Sequence, residues 1–179
     1  MCLTTPIEPS SSCITGRAGI NTIWVTACEN VTDLTFDADA LITAITMASG
    51  QVFVPIKFEK DTAFLNQALT RPKSGMVVKQ TISFTEPGLS PYLRKQLIEL
   101  NECCCNICIV QDNTGLRHVC GISYNSSTDT FQVEDMKGGE GSANTGANSE
   151  NDSAEYVQTL MCTASAYAPQ LDPTVVIPT

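Results

Sequence analysis

"NICIVQDNTGLRHVCGISY", residues 106–124, decides the fold class. Two apolar runs rich in β-branched residues flank "DNTG", where Asp112, Asn113 and Gly115 supply turn chemistry. This is the pattern of a β-hairpin. With the four residues 112–115 as its tip, Gln111 pairs with Leu116, Ile109 with His118, Ile107 with Cys120 and Cys105 with Ile122. Strict alternation then puts Ile107, Ile109, Leu116, His118, Cys120, Ile122 and Tyr124 on the core face. Cys108 falls on the opposite face with Val110, Arg117 and Val119.

Upstream, "LSPYLRKQLIELNEC" (89–103) predicts a helix. Ser90 suits an N-cap and Pro91 the first helical position. Leu93, Leu97, Ile98 and Leu100 form its apolar stripe, with Arg94, Lys95 and Glu99 facing out. Before it, "TAFLNQALT" (62–70) and "MVVKQTISFT" (76–85) read as two long strands around Pro72 and Gly75. "INTIWVTAC" (20–28), "VTDLTFDAD" (31–39), "ALITAITMA" (40–48) and "QVFVPIKFE" (51–59) are further strands, the second and third joined as a hairpin. Pro55 assigns the last of these to an edge or a bulge.

Downstream, "FQVED" (131–135) is a short strand, and "EYVQTLMCTASAY" (155–167) returns to strand character. Between them "MKGGEGSANTGANSENDSA" (136–154) is rich in Gly, Asn and Ser and reads as a long loop. The expected fold is mainly β: an antiparallel β-sandwich or barrel, one flanking α-helix at about 89–103, a long loop at 136–154 and extended termini. The expected division is an arm at 1–16, one domain at 17–167 and an extended tail at 168–179.

A chain of 179 residues can bury a real core. Ten Lys and Arg against nineteen Asp and Glu give a net charge of −9, which disfavours gripping nucleic acid. The first residues show neither a basic n-region nor an apolar h-region. No apolar run approaches the roughly 18 residues of a membrane-spanning helix. The nine cysteines are accordingly read as mostly reduced thiols.

The dense run "NECCCNIC" (101–108) invites a metal reading, with Cys105, Cys108, His118 and Cys120 as the zinc candidates. Zinc needs its ligands around one point. The register above sets Cys108 on the opposite face from His118 and Cys120, and "CNIC" lacks the Gly or Pro of a zinc knuckle. A redox C-x-x-C sits at a helix N-terminus, whereas this one follows a helix C-terminus, where the dipole disfavours a thiolate. Buried thiols acting as small apolar residues are the favoured reading. His118 is the only histidine, so no Ser or Cys triad can be built without it, and a packed or interfacial histidine is the favoured reading. Neither "FDADA" (36–40) nor "NSENDSAE" (148–155) fits a calcium loop, and "GGEGSANTG" (138–146) lacks the G-K-[ST] of a phosphate cradle. The expectation is a non-enzyme without cofactor or metal.

Five stretches together carry a resemblance: "VTDLTFDADALITAIT" (31–46), "FEKDTAFLNQALT" (58–70), "TISFTEPGLSPYLRKQLIEL" (81–100), "CIVQDNTGLRHVCGI" (108–122) and "SANTGANSENDSAEYVQTLMC" (142–162). In this order they resemble the tail-tube-like virion proteins of phages, in the forms seen in phages of Bacteroidetes hosts. The cysteine cluster is no part of that family's pattern. The resemblance implies a β-sandwich or barrel-like domain with one flanking helix, assembled into hexameric rings that stack into a tube for genome passage. Its partners would be further copies of itself and other virion proteins, with DNA as non-sticking cargo and no membrane. It would be made and assembled in the host cytoplasm and reside in the virion. The long loop would reach neighbouring subunits, with Gly138, Gly141, Asn144, Gly146 and Asn148 as assembly candidates. Acidic side chains from 31–60 or 62–85 would line the lumen. Other virion roles, in a neck or on a capsid, and a non-catalytic β-sandwich binding module are the alternatives.

Overall fold

The computed structural model describes residues 19–72, 75–87, 91–125, 130–144 and 155–179. The first strands are β1 (Ile20–Ala27), β2 (Val31–Phe36), β3 (Ile42–Met47), β4 (Val54–Ile56), β5 (Phe64–Thr70) and β6 (Val77–Pro87). A helix, α1 (Pro91–Glu102), leads into β7 (Asn106–Asp112), β8 (Arg117–Cys120), β9 (Ile122–Asn125) and β10 (Thr130–Val133). The chain closes with β11 (Lys137–Gly138), β12 (Ser142–Asn144), β13 (Glu155–Ala164) and β14 (Gln170–Leu171). Strands hold 55% and helix 9% of the described residues, and no barrel closes among them, in keeping with the sandwich of the two expected architectures.

Among the described residues the strands form three sheets. The largest runs β2-β3-β14-β8-β7-β1-β4. The second runs β11-β13-β6-β5, with β12 also paired to β13. The third is the β9–β10 hairpin. Pro55 lies in β4 at one end of the large sheet, where a missing N–H breaks no ladder.

Two apolar clusters hold these layers. One lies between the two large sheets and contains Ile23, Ile82, Phe84, Cys108, Val110, Cys120, Leu160 and Cys162, with Leu97 of α1 packed in. The other covers the opposite face of the large sheet and contains Leu34, Ile42, Phe53, Ile107, Ile109, Val119 and Leu171. The central strand β7 is therefore covered on both sides, and its residues 106–110 are all buried. Burial on both faces produces a continuous apolar run instead of an alternation.

The expected hairpin forms, but its register is displaced by one residue. Asp112 closes the turn: its backbone N–H donates to the Leu116 carbonyl, and its Oδ1 accepts the N–H groups of Thr114 and Leu116 at 2.8 and 2.9 Å. Gly115 takes φ +93°, the left-handed position that a three-residue hairpin loop requires. Cys108 consequently opposes Cys120, Ile109 opposes Val119 and Val110 opposes His118. The expected partition is overturned: Cys108 and Cys120 share the face between the sheets.

The β2–β3 hairpin is also present. Asp37 Oδ1 accepts from the N–H groups of Asp39 and Leu41 at 2.9 and 2.8 Å and shapes the turn. A register shift between Val31 and Asp33 puts Val31 and Leu34 on the same buried side, which simple alternation does not foresee. In α1, Leu97 is buried and Leu100 half-buried, but Ile98 points to solvent. Ser90 lies outside the described residues.

Two expected irregular segments are ordered parts of the sandwich. The proposed loop 136–154 begins with wholly buried Met136, whose carbonyl accepts from Asn106 N–H at 2.8 Å. β11 and β12 then pair with β13. Residues 145–154 lie outside the described residues. The proposed tail 168–179 is extended but not separate from the domain. Its β14 is inserted between β3 and β8, Val175 and Ile177 pack on the second cluster, and Phe53 N–H donates to the Pro178 carbonyl at 2.7 Å. The arm at 1–16 lies outside the described residues.

Candidate functional site

The cysteine-rich stretch divides into three chemical situations. Cys105 is disulfide-bonded to Cys28, an exception to the reading of the cysteines as mostly reduced thiols, and this removes Cys105 from any metal set; the other described cysteines, Cys103, Cys104, Cys108, Cys120 and Cys162, are free. The reason is local geometry. Cys28 N–H donates to the Cys105 carbonyl at 3.2 Å, and the two Cα atoms stand 5.5 Å apart, within disulfide range. Cys103 is half-buried with its thiol on the Cys105 carbonyl, and Cys104 is exposed.

Cys108, Cys120 and Cys162 form the third group, buried between the sheets. Burial pushes the Cys108 and Cys120 thiols far up, and each neighbouring thiol adds to the shift. Cys162 is pushed up to about 11, chiefly by burial, against a lowering contribution from the Gly121 N–H. All three are therefore protonated at neutral pH, whereas a nucleophile or metal ligand must be a thiolate. Among the described residues no group of three or more His, Cys, Asp and Glu side chains could hold a metal ion. Of the zinc candidates, Cys108 and Cys120 are brought together but sealed in the core. His118 lies opposite Val110, beside an open cleft of about 380 Å³ lined also by Phe64, Leu65 and Gln67. Burial lowers its pKa, with Asp112 opposing the shift, so the ring is neutral at pH 7.

Gln80, a residue the sequence reading passed over, organises the space around these thiols. Its side chain is wholly buried on β6. Its Oε1 accepts from Gly121 N–H at 3.1 Å and from the Cys162 thiol at 3.5 Å, while its Nε2 donates to the Ala166 carbonyl at 3.3 Å. Gly121 is required there. It takes φ +86°, and a Cβ would lie 2.5 Å from the Asn106 carbonyl oxygen. Nearby, the Ser123 hydroxyl donates to Glu134 Oε1 at 2.5 Å and accepts from Ser165 Oγ at 2.9 Å. This clamp ties β9 to the segments following β10 and β13.

The assembly candidates divide as well. Gly138 sits against Asn101 of α1, so close that a Cβ would overlap the Asn101 side chain. Gly141 backs onto Gln158, whose Nε2 donates to Asn101 Oδ1 at 2.9 Å. Both glycines permit close packing of β11–β12 on the helix and β13. Asn144 ends β12, and Gly146 and Asn148 lie outside the described residues.

Strand β5 and the chain end entering β6 carry exposed apolar side chains, while the rest of β6 is largely buried. Leu65 and Gln67 turn inward, the latter accepting from Ala168 N–H at 2.7 Å. From Leu69 onward even the inward side of β5 lacks cover. Phe64 is 53% and Leu69 39% exposed, and Met76 is exposed where the chain returns into β6. β5 pairs with β6 on one side and ends its sheet on the other. The segment 62–85 contains Arg71, Lys73 and Lys79 and no Asp or Glu. It cannot supply acidic side chains to a lumen, contrary to that half of the expectation.

No family model matches this chain, and neither curated proteins nor solved structures give a match. Among the described residues, no helix is long and apolar enough to cross a membrane.

Proposed function

We propose that this protein is a structural virion component of the tail-tube type, acting by self-assembly rather than catalysis. Copies associate through sheet edges into hexameric rings, and the rings stack into a channel for the genome. The observation that carries this reading is the β5 edge: a seven-residue strand, unpaired on one side among the described residues, bearing exposed Phe64 and Leu69. A protein that works as a monomer blunts such an edge with charge, proline or a bulge, because it recruits other strands. β4, with Pro55, is blunted in this way; β5 is not. The net charge of −9 supports the second half of the reading, since an acidic protein offers DNA few phosphate contacts and lets it pass. A Cys28–Cys105 disulfide also suits a particle that leaves the reducing cytoplasm.

Sedimentation velocity of the full chain over a wide concentration range tests this reading. The expected result is mass action from monomer to a discrete ring-sized species and larger stacks. A single monomeric boundary at every concentration would leave a decorating protein or a binding module in its place.

A further inference from the structure

Several strands end a sheet, but β4 has three residues with Pro55 among them and β11 has two. Among the described residues that leaves β5, unbroken over seven residues, and β2, six residues with two register shifts, as the longest unpaired edges, one on each large sheet. They lie in segments of opposite charge. Residues 19–56 contain Glu29, Asp33, Asp37 and Asp39 and no Lys or Arg. Residues 62–85 contain Arg71, Lys73 and Lys79 and no Asp or Glu. Asp33 and Asp39, at the β2 edge and its turn, are exposed, as are Arg71 and Lys79 on the hairpin. None of these four is in an ion pair among the described residues.

We infer that β5 of one copy docks edge to edge on β2 of the next, its basic hairpin against the acidic β2–β3 end. This deepens the self-assembly reading and rests on it. The charges decide between the possible pairings. A β5–β5 contact would join two hairpins of the same basic sign, with Arg71 just past the end of β5 and Lys79 on the adjoining β6, and a β2–β2 contact would join two edges of the same acidic sign. Like charges across paired strands are unfavourable, and only the β5–β2 pairing matches opposite signs. Backbone hydrogen bonds along the joined edges supply affinity, while the charges set partner edge and register. Two different patches meet in this contact, so every copy offers one free donor edge and one free acceptor edge. Such an interface repeats until it closes into a ring or runs on as a filament.

The test uses light scattering of the full chain and two charge-reversed variants, R71E/K79E and D33K/D39K. All four substituted side chains are exposed, and circular dichroism checks that each variant keeps its fold. Each variant alone is expected to need about tenfold or more higher concentration to assemble. An equimolar mixture of the two is expected to regain scattering as alternating copies. Assembly of the unmodified protein is expected to weaken at about 0.5 M salt, where screening shortens the reach of the charges. If the unmodified protein assembles while both variants do so equally well alone, the β5–β2 pairing is wrong and the self-assembly reading stands. An unmodified protein that never assembles overturns both.

Discussion

Replacing Gln80 by leucine tests how the two sheets are joined at the cysteine cluster. Leucine nearly matches the volume of glutamine but offers neither acceptor nor donor. The Gly121 N–H, buried and bonded to Gln80 Oε1 at 3.1 Å, loses its partner. An orphaned buried donor costs about 1–3 kcal/mol. The half-buried Ala166 carbonyl loses the 3.3 Å bond from Nε2 but lies near enough to the surface to recruit water, which adds roughly 0.5–1 kcal/mol. The Cys162 thiol is a weak donor and adds little. Greater apolar burial by leucine returns about 1 kcal/mol. The net expectation for Gln80→Leu is a loss of about 0.5–3 kcal/mol, a sizeable share of the roughly 5–15 kcal/mol typical of a domain. Urea unfolding followed by emission of Trp24, the only tryptophan, reads this as a lower midpoint at unchanged slope. Gln80→Glu keeps the acceptor and sharpens the test. Burial raises the folded-state pKa of the introduced carboxyl above its unfolded value of about 4.3. That variant is therefore most stable relative to the parent below the unfolded pKa and loses stability as pH rises through the window between the two. A Gln80→Leu protein within about 0.5 kcal/mol of the parent would refute the assigned role of Gly121 N–H.

Reducing the Cys28–Cys105 bond, which closes a separation of 77 residues, should lower stability by about 2–4 kcal/mol in the same urea assay. Alkylation of the native protein followed by mass mapping should label exposed Cys104 quickly and leave Cys108 and Cys120 unmodified until denaturant is added. Early labelling of either buried thiol would contradict their placement between the sheets. Glu86 has a pKa raised above 4.5 by burial, so the folded state holds its proton more tightly than the unfolded state. Stability contributed by its protonated form is lost as pH rises from 4.5 through the folded value, and Glu86→Gln should therefore gain on the parent across that window. Urea midpoints from pH 3.5 to 7 read the difference, and a gap that does not change with pH would oppose it.

The elements were more legible than their faces. β-Branched runs and Gly–Pro punctuation located β1, β3 and the β5–β6 hairpin, and Pro55 correctly marked an edge strand. The 106–124 hairpin was legible as a hairpin but not in register. The alternation rule assumes one buried face, whereas residues 106–110 are buried on both, so apolar pattern alone could not select a pairing. The decisive signal lay in the turn, where Asp112 and Gly115 define a three-residue loop rather than a four-residue tip. That single displacement separated Cys108 from Cys120 in the sequence reading and joins them in the fold. Segment 136–144 was misread because its glycines looked like linker, although Gly138 and Gly141 are small where strands meet α1 and β13. The β14 tail was missed because two residues inserted between distant strands leave no periodicity to detect. Gln80 carried no sequence signal, since a buried amide becomes visible only once its partners across the sheets are known. The β5 edge was legible as a long strand, but its free side depends on the strand order.

The most direct measurement is negative-stain imaging of the purified full chain across a concentration series. The account predicts hollow rings, and stacks of them at higher concentration, with a lumen wide enough for duplex DNA. Solitary compact particles at every concentration would contradict it.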